Sequence, residues 1–124
     1  MNILVTGASG FIGKALIKEL ISTGHKVKAL ARKEIPSLPS NVEQIIINDL
    51  VQTLLYSKSK VMEIALGEID IVVHLAAKAH VSSDNTESSL LEYRNVNTLV
   101  TLELAKKALQ SKVKRFIFLS SVGV

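Results

Sequence analysis

Short apolar runs alternate along this chain with stretches whose apolar residues recur at helical spacing. The runs at 2–6, 42–47, 69–75 and 115–119 are near-continuous and rich in β-branched or aromatic residues, the character of buried strands. A further run, 25–31, alternates in part and reads as the second strand. Between them, Ala15, Leu16, Leu20 and Ile21 predict a helix over 11–23 with Gly24 as its C-terminal cap. Val51, Leu54, Leu55, Met62, Ala65 and Leu66 fit one face and predict a single helix closed by Gly67. A long helix is predicted over 90–110, although Asn95, Val96, Asn97 and Thr98 are poor helix formers. Pro36 and Pro39, with serines around them, mark a loop, and 78–89 reads as polar and irregular. Strand alternating with helix predicts an α/β fold: a parallel sheet of about five strands with helices on both faces, joined by right-handed crossovers.

Such a sheet binds ligands at the carboxyl ends of its strands. The glycine and polar residues fall there: Gly7 after the first strand, Arg32 after the second, Asp49 after the third, Ala76 after the fourth, Ser120 and Ser121 after the fifth. The first of these ends is the most informative. Gly7, Gly10 and Gly13 lie where a buried strand passes into a helix. A helix start offers unpaired N–H groups and a positive dipole end, and glycine lets a bulky anion approach that backbone. The chemistry implied is pyrophosphate binding. The bland rival is a tight turn without a ligand, because the spacing is G-x-x-G-x-x-G rather than the commoner G-x-G-x-x-G.

Composition narrows the choice. At 124 residues, 48% of them apolar, the chain is expected to be one domain at most, with enough material for a core. It has no cysteine, so no disulfide framework or thiolate zinc site, and no metal site is expected. The net charge of +4 comes from scattered lysines that read as solvated faces. With aromatics at 4%, nucleic-acid binding is not expected. No secretory signal and no apolar run near the ~18 residues needed to span a bilayer is seen, so a soluble, cytoplasmic chain without membrane contact is expected.

Several motifs together resemble the extended branch of the short-chain dehydrogenase/reductase family, the NAD-dependent epimerases and dehydratases. Thr6-Gly7-Ala8-Ser9-Gly10-Phe11-Ile12-Gly13 is similar to its glycine turn, and Asn48-Asp49-Leu50 to its Gly-Asp-Leu, with Asn48 departing from the usual glycine. His74-Leu75-Ala76-Ala77 resembles its His-Leu-Ala-Ala, Asn97 its helix asparagine, and Phe116 to Ser121 its serine-ending fifth strand. The stretches from His74 to Val81 and Tyr93 to Ala105 most resemble UDP-hexose and UDP-N-acetylhexosamine 4-epimerases and related reductases.

The resemblance implies a three-layer α/β/α Rossmann-type domain that binds NAD or NADP. It implies cofactor contacts from Gly7, Gly10, Phe11, Ile12, Gly13, Arg32, Asp49, Leu50, Leu75, Ala76, Ala77 and Asn97. Asp49 serves equally as a helix N-cap. His74, inside an apolar strand, reads as a core histidine rather than a catalyst. Ser121, with Ser120 beside it, falls on the family's catalytic serine, which hydrogen-bonds the sugar oxygen being oxidised or reduced. The implied partner is a nucleotide sugar, UDP-linked, and family precedent leaves a homodimer open for the full-length protein. Ala31, Arg32 and Lys33 stand where NAD-preferring relatives carry an acidic residue, which tilts the cofactor toward NADP.

The family moves its proton with Tyr-x-x-x-Lys on the helix after the serine strand. Tyr56 and Lys60 match that spacing but lie between the third and fourth strands, which argues against them. The chain is therefore expected to be the N-terminal, NAD(P)-binding portion of a nucleotide-sugar epimerase, dehydratase or reductase. Residues 1–124 alone are expected to be inactive, with an apolar sheet edge uncovered. Two rivals share the fold: a non-catalytic NAD(P)-binding sensor or regulatory module, and a reductase of a small carbonyl compound. A Tyr-x-x-x-Lys beyond Val124 favours an enzyme over a sensor; the substrate domain separates the two enzymes.

Overall fold

A computed structural model gives the architecture; it describes residues 1–75 and 87–119, with side chains for 1–75 and 95–119. Five strands, β1 (Asn2–Thr6), β2 (Lys26–Ala31), β3 (Glu43–Ile46), β4 (Ile71–Leu75) and β5 (Arg115–Leu119), form one sheet. Its order is β3-β2-β1-β4-β5, and every pairing is parallel. Among the described residues the helices are α1 (Phe11–Ser22), α2 (Leu50–Leu55), α3 (Val61–Leu66) and α4 (Glu87–Gln110). The chain runs outward from β1 to β3 and then crosses back to β4 on the other side of β1. The expected α/β parallel sheet, a Rossmann-type fold, is therefore present, with its topological switch point between β1 and β4.

Period-two alternation assigns the two faces. Ile3 and Val5 of β1 join Ile17 of α1, Val73 and Leu75 in one buried cluster. Leu4 and Val72 face the other way, against Leu54 of α2, Met62 of α3 and Leu104 of α4. Helices thus cover both faces, and the central strands are buried on both sides, which is why they read as continuous apolar runs. At the amino ends, Asp70 ties three strands together. Its carboxylate accepts from Asn2 N at 2.9 Å, and its carbonyl accepts from Lys114 N at 2.8 Å. The Asn2 hydrogen bond and nearby Lys114 hold the Asp70 carboxyl below its usual range. The β5 edge is less covered: Ile117, Phe118 and Leu119 are each nearly half exposed.

One element departs from expectation. The single helix predicted through Val51–Leu66 is two helices, α2 and α3, interrupted between Tyr56 and Lys60. Serine hydroxyls take the backbone donors there: Ser59 N donates to Ser57 Oγ at 3.0 Å and Val61 N to Ser59 Oγ at 3.2 Å. Such local bonds offer the backbone an alternative to the helical ladder. Helix α4 starts at Glu87, earlier than the apolar spacing indicates, and continues through Asn95–Thr98, where packing of Val96 and Val100 against the sheet overrides propensity.

Helices α1 and α4 end alike. His25 N donates to Leu20 O and Gly24 N to Ile21 O; Val113 N donates to Ala108 O and Lys112 N to Leu109 O. Both are Schellman closures, but α4 puts a lysine, at φ 62°, where α1 has its glycine. Lys112→Gly is expected to raise unfolding stability by about 0.5–1 kcal/mol by removing left-handed strain from a side chain. Urea titration checks this, and an unchanged or lower midpoint contradicts it. Among the described residues no helix is long and apolar enough to cross a membrane.

Candidate functional site

The site is built where β1 stops and α1 begins. Gly7 takes φ +66°, and a Cβ there would sit 2.6 Å from Leu75 O, so the turn lies directly on the end of β4. A Cβ on Gly13 would meet Gly7 O at 2.6 Å and Ala8 Cα at 2.9 Å, so α1 packs backbone to backbone on the turn. These two glycines are demanded by the fold itself. Gly10 is different. It is the N-cap of α1 in extended conformation, and among the described residues the nearest atom to its virtual Cβ is Gly7 O, at an ordinary 3.7 Å.

No side chain caps α1 and no acidic residue occupies its first turn. Lys14 N donates to Gly10 O at 3.0 Å, so the ladder begins there. The N–H groups before it form a positively polarised helix mouth. Phe11 and Ile12 stand at this mouth largely exposed, at 90% and 64%.

The other strand ends carry the remaining candidates. Arg32 and Lys33 are exposed just beyond β2. Asp49 caps α2: its Oδ1 accepts from Gln52 N at 3.0 Å. Leu50, half-buried, packs with the core on the α2 side of the sheet. Leu75 is buried beneath Gly7. Asn97 is half-buried in α4, and its carbonyl accepts from Thr101 Oγ1 at 2.9 Å. Ala76, Ala77, Ser120 and Ser121 lie outside the described residues. The structure thus brings Gly7, Gly13 and Leu75 together and leaves Gly10, Phe11 and Ile12 open around them.

An open cleft joins the turn to the end of β2, lined among others by Ser9, Lys14, Arg32, Lys33, Glu34 and Asn48. Lys14, which reads in the sequence as one of many scattered cations, reaches this cleft from α1, four residues after Gly10.

His74 sits in the same region but belongs to the core. It is 3% exposed, shares a hydrogen bond with Thr6 Oγ1 at 2.5 Å through Nδ1, and stacks on Phe118 with ring centroids 5.6 Å apart. Burial lowers its pKa to about 4. It is therefore neutral near pH 7 and fastens β4 to β1. Tyr56 and Lys60 are exposed, at the end of α2 and the start of α3, so no single helix presents them as a pair.

Comparison with known proteins gives the family. The chain belongs to the NAD dependent epimerase/dehydratase family, whose model it matches over residues 3–124. It is 38% identical to a UDP-glucose 4-epimerase from Vibrio cholerae over 124 residues, covering 99% of this chain and 35% of that protein. It is 34% identical to a decarboxylating sterol-4-alpha-carboxylate 3-dehydrogenase from Dictyostelium discoideum, over 99% of this chain and 36% of that one. Among solved structures it resembles MoeE5 in complex with UDP-glucose and NAD, with TM-score 0.74 and 33% identity, covering all of this chain and 38% of MoeE5. The chain spans about a third of the length of these relatives.

Proposed function

We propose that this chain is the NAD(P)-binding portion of an enzyme that moves a hydride between nicotinamide and a carbon of a UDP-linked sugar. The observation that carries this reading is the glycine turn at the switch point. Gly7 and Gly13 are fixed by backbone contacts, while among the described residues nothing crowds a Cβ placed on Gly10. A pyrophosphate fits that cradle, because the α1 mouth supplies N–H donors and positive charge without any carboxylate. Phe11 and Ile12 would cover the dinucleotide with apolar surface, and Leu75 would support it from below. The Asp49 carboxylate, one oxygen of which caps α2, would accept from the adenine amino group through the other.

When bound, the nicotinamide supplies the hydride chemistry. The chain's own part is to orient it and to place a hydroxyl near the sugar. Ser121, directly after β5 in sequence, would hydrogen-bond the sugar oxygen whose carbon is oxidised or reduced. An unassisted serine is a poor base, so turnover further requires a tyrosine–lysine pair, which residues 1–124 do not place after β5. The 38% identity to a UDP-glucose 4-epimerase and the UDP-glucose in MoeE5 support the sugar nucleotide. The sterol dehydrogenase, at 34%, supports a second reading in which the substrate is a non-sugar alcohol or ketone.

The test compares residues 1–124 with a longer natural polypeptide containing them, each incubated with UDP-hexoses or a 3-hydroxysteroid and either cofactor. Sugar product from the longer protein, about 10²-fold less from its Ser121→Ala variant, and none from 1–124 is the expected outcome. Steroid turnover without sugar turnover would replace this reading with the second. Turnover by 1–124 comparable to the longer protein contradicts the division of labour.

A further inference from the structure

We propose that His74 is a positioning residue for the dinucleotide: through its hydrogen bond to Thr6 it sets where the glycine turn lies, and with it the donors at the mouth of α1. This rests on the dinucleotide reading of the turn and adds to it a residue that acts through another. Thr6 is the last residue of β1 and stands in register with His74, on the last rung that β1 shares with β4. Gly7 follows at once, seated on Leu75 O. The Gly7 carbonyl accepts from Gly10 N at 3.3 Å and lies against Gly13. Thr6 therefore places Gly7, and Gly7 places Gly10 and Gly13, which carry the helix mouth. The bond between Thr6 Oγ1 and His74 Nδ1, at 2.5 Å, is the side-chain tie at the head of this series.

Strand pairing does not call for that tie. Among the described residues the buried polar side chains are Thr6 and His74, and they are bonded to each other. The rungs next to them, Leu4 with Val72 and Val5 with Val73, are apolar. An apolar pair of matching shape in their place would be nearly neutral for stability or better, because a buried hydrogen bond must first offset the desolvation of both groups. What the polar pair adds is direction. A satisfied hydrogen bond holds one arrangement, where apolar packing alone specifies position less sharply. The ring that makes the bond is itself held. It stacks on Phe118 with centroids 5.6 Å apart and an inclination of 22°, and its centroid is 6.2 Å from that of Phe116. β5 thus orients the imidazole, and the imidazole orients Thr6. Burial keeps the ring neutral near pH 7, so the tie is a neutral hydrogen bond under ordinary binding conditions.

Calorimetric titration with NAD and NADP, run beside urea unfolding, tests this. A misplacement of about 1 Å in a site can cost about 10²-fold. Thr6→Val and His74→Phe are therefore each expected to weaken whichever dinucleotide the parent binds more tightly by at least about tenfold. Each also lowers the urea midpoint, because one buried polar group is left unpaired. The double variant Thr6→Val/His74→Phe removes both polar groups. Its urea midpoint is expected to return toward the parent's while its affinity stays at least about tenfold weaker. His74→Asn is expected to do the reverse. Its amide offers Thr6 a partner near the place of Nδ1 but cannot stack on Phe118, so the midpoint falls while affinity stays close to the parent's. Circular dichroism shows which variants are folded. If the double variant is not, Thr6→Val and His74→Asn decide the matter, the first binding weakly and the second nearly as the parent does. Affinity that follows the urea midpoint through the series, or single variants that bind as tightly as the parent, overturns the positioning role and leaves the dinucleotide reading intact. A parent that binds neither dinucleotide overturns both.

Discussion

Gly10→Val is expected to weaken dinucleotide binding at least about 100-fold while the fold survives, whereas Gly13→Val is expected to cost the fold itself. The contrast follows from what a Cβ meets. At Gly10 the backbone is already extended, with φ −74° and ψ 167°, a conformation valine adopts without strain, and the nearest atom among the described residues is 3.7 Å away. Loss of an N-cap glycine costs about 1 kcal/mol. The added methyls fill the space over the helix mouth that a pyrophosphate needs. At Gly13 the new side chain drives into Gly7 O and Ala8 Cα, both backbone, at 2.6 and 2.9 Å. Neither yields without moving β1 or α1, and overpacking of this kind costs about 3 kcal/mol or more. Thermal melts and cofactor titration on both variants separate the effects. A Gly10→Val protein that stays folded and binds as tightly as the parent contradicts the site.

A second large effect concerns pH. His74 titrates near 4 in the folded chain because burial penalises its charged form, against about 6.5 when unfolded. Above pH 6.5 both states hold it neutral and it adds no pH dependence. Between 6.5 and 4 the unfolded chain takes up a proton that the folded chain refuses, so stability falls as pH falls. The accumulated loss at pH 4 is about 3 kcal/mol, a large share of what a small domain has. Below 4 this group adds nothing further. Glu63 and Asp70 act lower on the scale. The hydrogen bond from Lys107 to Glu63 and the one from Asn2 to Asp70 depress their folded pKa values. Their stabilisation is present above their unfolded values and is lost as pH falls through the folded ones. Denaturant titrations at a series of pH values should show the wild-type loss between 6.5 and 4.5 and a nearly flat response for His74→Gln. A variant that keeps the wild-type slope refutes the assignment.

Much of this arrangement was legible in the sequence because buried parallel strands leave an unbroken apolar trace. β1 and β5 fall at the predicted residues, and the other strands within two residues of them. The glycine turn was legible for a related reason: Gly7 and Gly13 meet backbone, and backbone crowding leaves only one residue type. The break between α2 and α3 was hidden because the apolar face of Val51–Leu66 keeps its phase through it. Only Ser57 and Ser59, which bond the backbone locally, betray it. That Lys14 and Arg32 line one cleft was hidden because they come from distant parts of the chain and only the fold brings them together. Asp49 shows the limit of reading by type, since the same carboxylate caps a helix and stands ready to accept another bond.

The most direct measurement is a backbone-amide NMR titration of the protein with NAD(H) and NADP(H). The largest shifts are expected at Gly10, Phe11, Ile12 and Gly13, with further shifts at Arg32 and Asp49 and little change at Asp70 or Lys114, at the far end of the sheet. Saturation without movement of the Gly10–Gly13 amides, or shifts confined to the loop around Leu38–Val42, would contradict a dinucleotide seated on the mouth of α1.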